Sequence, residues 1–222
     1  MKRLALLFLL LISPQLLAAS QKTGDAAVTN SKAEIAELIN SWGFYRDQEA
    51  WDDLLAAFTD DGSISLSWFD GPNKGFVAAS KKLAEHKDNT VKHYIGVPMI
   101  KLNGDRAIAE ENVTIMVRAK TPVGEIDTTS YARFYDYVVK QNGKWKILKR
   151  TAIYEKDRAD AVDHAALPDG FYKDLGQYPA QFKFLAAALA KGGKSISPTA
   201  VLDKSPAMLT LYVDGQKWLA GD

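Results

Sequence analysis

"YARFYDYVVKQNGKWKILKRTAIYEKDR", residues 131–158, holds two runs rich in aromatic and β-branched residues divided by Asn142-Gly143. Asn-Gly tolerates the positive φ values that a two-residue hairpin turn demands, so the stretch predicts two antiparallel strands. Toward the N-terminus, Pro122-Val123-Gly124 separates 126–140 from 106–119, and Asn103-Gly104 separates that run from 91–102. Three consecutive hairpins follow. Along 126–140 one strand face carries Thr129, Tyr131, Arg133, Tyr135 and Tyr137, and the other carries Thr128, Ser130, Ala132, Phe134 and Asp136. The alternation leaves open which face is concave.

Upstream of the strands the apolar period changes. Ser31 and Glu34 have the spacing of a capping box, and Ile35, Leu38, Ile39 and Trp42 then recur at helical intervals, which predicts a helix over 32–47. Trp51, Leu54, Leu55 and Phe58 form a second apolar stripe. It should end at "TDDG", where Asp61-Gly62 is expected to turn the chain into a strand, "SISLSWF". Residues 75–87 read as a third helix. Helices first and an antiparallel meander afterwards define an α+β fold.

The two ends read differently. "MKRLALLFLLLISPQLLAAS", residues 1–20, has a basic start, an apolar run from Leu4 to Ile12 and small residues at Ala18 and Ala19. That is the pattern of a secretory signal peptide over 1–19, and the run is too short to span a bilayer. The expected location is therefore secreted or periplasmic, with no membrane association after cleavage. Residues 20–30 are small and polar, as in a flexible lead-in. Residues 31–160 form the main domain. Beyond it, "LPDG", "KGGKSISP" and "DKSP" cut residues 161–222 into short pieces around one helix near 179–190. The apolar residues there are too scattered for a separate core, so this extension should pack on the domain or on a partner subunit, which leaves a homo-oligomer open.

Composition excludes several functions. The chain has no cysteine, so the hydrophobic core must supply stability without disulfides and no thiol nucleophile exists. Without Lys2 and Arg3 the remaining basic residues nearly balance 27 acidic ones, which gives nucleic acid nothing to hold. No phosphate-cradling or dinucleotide glycine motif and no nucleophile elbow is present. His86 and His164 are far from any ligand spacing, so neither a metal nor a cofactor is expected.

Three stretches, "WGFYRDQEAWDDLLAAFTDDGSISL" at 42–66, "KHYIGVPMIKLNGDRAIAEE" at 92–111 and the opening segment at 131–158, resemble in order and spacing the SnoaL-like family of the nuclear transport factor 2 superfamily. The resemblance covers roughly residues 31–160. It implies a cone-shaped fold, three N-terminal helices packed on a curved antiparallel sheet. Family members with known chemistry include scytalone dehydratase, bile-acid 7α-dehydratase and hexachlorocyclohexane dehydrochlorinase, which pair an aspartate near the end of helix 1 with a strand histidine. Asp47 and His93 match those positions, and Arg150 matches a pocket arginine of the last strand. Where those enzymes place a lysine or tyrosine five residues before the aspartate, Trp42 stands here and offers no acidic donor.

The chemistry follows from these side chains. Imidazole is the one side chain whose ordinary pKa lies near neutrality, so His93 is the candidate base, with Asp47 fixing its tautomer and stabilising the imidazolium. Arg150 is either an anchor for an oxyanion or the partner of a carboxylate such as Glu111 or Asp127. Trp42, Tyr45 and Tyr131 are the candidate substrate-binding aromatics. The reading is a cofactor-independent lyase or isomerase acting on a small, largely apolar molecule. The alternative is a non-catalytic binding or accessory protein on the same fold.

Overall fold

The computed structural model describes residues 14–85, 88–122, 124–163, 170–171 and 173–222, with side chains described from residue 24 onward. Residues 1–13, with most of the expected export signal, and His86 and His164 lie outside them. The first described element is α1 (Pro14–Asp47), which passes unbroken through Ala19, where cleavage is expected. No described helix is long and apolar enough to cross a membrane.

Residues 20–30 belong to α1, where the sequence predicts a flexible lead-in. Residues 24–30 are exposed and Thr29 Oγ1 donates to the Asp25 carbonyl one turn back. Once the turns carrying Ile35, Ile39 and Trp42 are anchored in the core, each added residue costs only propagation, so Ala26 and Ala27 extend the helix. Ser31 is consequently an interior residue of α1 and the capping-box reading fails.

After α2 (Trp51–Ala56) the chain enters β1 (Phe58–Ser65) directly. The expected turn at Asp61-Gly62 is instead an irregularity within the strand, where the β1 register shifts between Phe58 and Ser63. A Cβ on Gly62 would stand 2.9 Å from the Thr59 carbonyl oxygen, so glycine permits the bulge. Then follow β2 (Asp70–Pro72) and α3 (Asn73–Ala84).

The expected strand 91–102 is divided into β3 (Asn89–Ile95) and β4 (Met99–Asn103), both paired with β5 (Arg106–Thr121). The break includes Pro98, which has no N–H to give a ladder. Beyond it, β6 (Gly124–Gln141) and β7 (Lys144–Ala161) complete the meander. Asn142 and Gly143 take positive φ at the turn, as the opening motif requires. The sheet order is β2-β1-β7-β6-β5-β3, with β1 parallel to β7. Two register shifts in the β6–β7 pair, at Tyr131/Ala132 and Tyr137/Val138, bend these long strands into a curved sheet.

The alternation along β6 now has a direction. Ile126, Thr128 and Phe134 face the concave side, where Ile35, Ile39, Trp42, Leu54 and Phe76 from the helices join the main core. Tyr135 and Tyr137 face the convex side. Residues beyond β7 close both faces. The helix α4 (Lys183–Lys191) buries Leu185 and Ala186, and Phe182 just before it, in the concave core. The short β8 (Val201–Leu202) adds to β7, and α5 (Pro206–Ala220) lays Met208 and Leu211 over Ile108, Tyr135 and Ile153 on the convex face. The sequence reading has no counterpart of α5, because "DKSP" looks like a breaker. Ser205 is in fact its N-cap, accepting from Met208 N–H, and Pro206 fills the first turn.

Candidate active site

The site begins with close packing of α1 on the edge strand β3. A Cβ on Gly43 would meet Ile95 Cγ1 at 2.8 Å and His93 Cβ at 3.8 Å, so the absent side chain sets the approach of the two elements. One turn later α1 ends at Asp47. Strand β3 has only β5 beside it, so part of its backbone faces away from the sheet, and Asp47 Oδ2 accepts the His93 N–H at 2.8 Å. The other oxygen, Oδ1, lies 2.6 Å from His93 Nδ1. One carboxylate thus holds both the backbone and the ring of His93.

Electrostatics assigns the protons. Burial alone would raise the Asp47 carboxyl, but hydrogen bonds and charge from His93, with help from Lys92, hold it below its ordinary value. Lys92 Nζ stands 3.3 Å from Oδ2. An ionised carboxylate only accepts, so Nδ1 carries the hydrogen and Nε2 keeps the lone pair. Burial pulls the His93 pKa below the ordinary histidine value, against the opposing pull of Asp47 and with the charges of Arg46 and Arg150 adding to the lowering. The imidazole is therefore neutral at neutral pH. Among the described residues Nε2 has no partner, and His93 lines a cavity of about 1350 Å³.

That cavity is bounded by Trp42, Phe76, Ile115, Val117, Phe134 and Tyr154, and by Phe184 and Leu185 from α4. Trp42 stands edge-on to the His93 ring at 5.5 Å between centroids. Asp157 fixes the first turn of α4 at this wall, one oxygen accepting from the N–H groups of both Phe184 and Leu185. On the β1–β7 side the Tyr154 hydroxyl donates to Ser67 Oγ at 3.0 Å and accepts from Ser67 N–H.

Asp47, His93 and Trp42 are brought together. The other expected residues are not. Arg150 is completely buried, paired through two nitrogens with Asp136 at 2.8 and 2.6 Å and with Glu111 at 3.3 Å. It lies between the rings of Trp42 and Phe134, each 4.4 Å from its guanidinium carbon, and does not line the cavity. Burial and the Asp136 charge push Glu111 well above the ordinary carboxyl range. The carboxylate-partner alternative holds, with Asp136 as chief partner and Asp127 instead paired to Arg118. Tyr131 faces the convex side, under Lys156, because it has the strand parity of Tyr135. Tyr45 packs half-buried against the helix side of the core, outside the cavity lining.

The sequence reading missed Arg46. It lines the cavity beside Asp47, is 8 % exposed and stacks over Trp51 at 5.5 Å. Its spacing of four from Trp42, which puts both on one helix face, was the available signal. Ser67, Tyr154 and the α4 residues were also missed, since nothing local links them to residue 93.

Comparison with known proteins agrees with this architecture. A SnoaL-like domain matches residues 27–151. Pea pathogenicity protein 2 of Fusarium vanettenii is 28% identical over 172 residues, 76% of this chain and 73% of that protein. Among solved structures, LinA superposes with a TM-score of 0.55 at 19% identity, over 65% of this chain and 99% of LinA. A provisionally named scytalone dehydratase from Novosphingobium aromaticivorans gives 0.53 at 17% identity, over 64% and 99% of the two chains. Sequence match and shared fold together place the chain in the SnoaL-like family of the nuclear transport factor 2 superfamily.

Proposed function

We propose that the protein is a cofactor-independent lyase or isomerase that removes a proton from carbon in a small, largely apolar molecule. The observation that carries this is the 2.6 Å contact between Asp47 Oδ1 and His93 Nδ1, which leaves the unpartnered Nε2 lone pair on a cavity wall. His93 Nε2 takes the proton and the C–H electron pair forms a new π bond. In an elimination the leaving group departs from the adjacent carbon with its bonding pair. In an isomerisation the imidazolium returns the proton to a different carbon. Asp47 stabilises the imidazolium in either case, and acid–base help of this kind is worth about 10²–10⁴ in rate. The dehydrochlorinase and dehydratase folds among the structural neighbours support the reaction class by analogy.

The depressed His93 pKa sets the pH dependence. The base is active only when neutral, so the acid limb of the rate profile should fall below the ordinary histidine value of about 6.5. A panel of small alicyclic and aromatic hydroxy and halo compounds, screened by thermal shift, would supply ligands. Each ligand is then incubated in D₂O with wild type and with His93→Gln, and carbon-bound deuterium is measured. Exchange in wild type alone, with binding retained in both, supports the base. Equal exchange in both removes His93 from the mechanism, and binding without exchange in wild type favours the non-catalytic binding protein.

A further inference from the structure

Each of the other described arginines has an oxygen partner: Arg106 the Trp218 carbonyl, Arg118 Asp127, Arg133 Glu110 and Asp203, Arg150 Asp136, and Arg158 Asp160. Arg46 is the exception. It is 8 % exposed, and no acceptor among the described residues lies within hydrogen-bond distance of its guanidinium. The oxygens of its neighbour Asp47 are committed to His93 and Lys92, and the charges of Asp47 and Glu49 oppose the burial of the guanidinium without giving it a hydrogen bond. An ion this buried carries a large desolvation penalty unless something opposes it. Stacking on Trp51 offsets part of that and leaves the guanidinium edge, with its fork of donors, unused.

We infer that Arg46 is the binding residue for a carboxylate on an otherwise apolar ligand, seated in the cavity beside the Asp47–His93 pair. The guanidinium and a carboxylate match as two parallel hydrogen bonds. Trp51 fixes the plane of the fork, and the Phe76, Val117 and Phe134 walls take the apolar body. The assignment replaces Arg150, whose charge is spent on Asp136, and narrows the ligand from apolar to amphipathic. It rests on reading the cavity as a ligand site and does not require turnover.

The test compares 2-naphthoate with its neutral analogue 2-naphthamide by calorimetry on the full chain. Wild type should bind naphthoate at least about tenfold more tightly. Arg46→Gln should abolish the preference while naphthamide affinity changes by less than about twofold, which also shows that the cavity is intact. Arg46→Lys should keep part of the preference, since the charge remains and the fork is lost. His93→Gln should keep all of it, so carboxylate selection and proton removal fail independently. Equal affinity for the two probes in wild type, binding of neither, or a preference that survives Arg46→Gln would each overturn the assignment.

Discussion

Asp47→Asn changes one atom and should change three observables. The carboxylate has 2% side-chain exposure and accepts from both the backbone N–H and Nδ1–H of His93. An amide has one acceptor oxygen. If that oxygen keeps the backbone N–H, the amide NH₂ faces Nδ1, which must then accept, and the ring proton moves to Nε2. The base loses its lone pair. Hydrogen bonds to charged groups are worth about 1.5–3 kcal/mol, so losing the charge on two and reversing one should cost about 2–3 kcal/mol. For a chain of this size that is a melting temperature about 5–10 °C lower at pH 7. Because the folded Asp47 pKa lies below the unfolded value of about 3.9, its contribution is complete above that value and lost as pH falls through the folded one. The melting difference should therefore shrink in acid. Imidazole ¹⁵N shifts would report the tautomer directly. An Asp47→Asn protein with an unchanged Nδ1–H tautomer and a melting temperature equal to wild type at pH 7 would refute the reasoning.

Two further substitutions test the surrounding frame. Arg150→Met leaves Asp136 fully buried without its cation and should cost about 3–5 kcal/mol in urea unfolding; an unchanged midpoint would mean that the pair is not the anchor of the concave core. Gly215→Ala would put a Cβ 2.2 Å from Tyr135 Oη, forcing α5 away from the convex face for about 1–3 kcal/mol, yet should leave the His93 tautomer unchanged because the sheet lies between them.

Turn chemistry and short-range periodicity made the meander legible. Asn142-Gly143 needs its conformation whatever surrounds it, and Asp47 and His93 stood out through the family resemblance. What failed depends on tertiary context. The ends of α1 are not set by Ser31, because an anchored helix propagates through any tolerable sequence. Arg150 looked like an inward pocket group, and it is inward. Asp136, across the β6–β7 ladder, claims it, and that pairing follows from a register that only the bulges determine. Tyr131 needed the direction of the alternation, which became evident once α5 was seen to cover the odd-numbered face. Arg46 was overlooked because a basic residue beside an aspartate at a helix end usually lies in solvent.

The wall that α4 contributes has an evolutionary consequence. Asp47 and His93 lie inside the family-matched segment, which ends at residue 151, whereas Phe184 and Leu185 lie more than thirty residues past that end, hung on Asp157. The Asp47–His93 pair and the wall that α4 adds to the cavity are thus encoded in separate stretches of the chain. Substitutions along α4 can reshape that one wall while leaving the contact between Asp47 and His93 untouched.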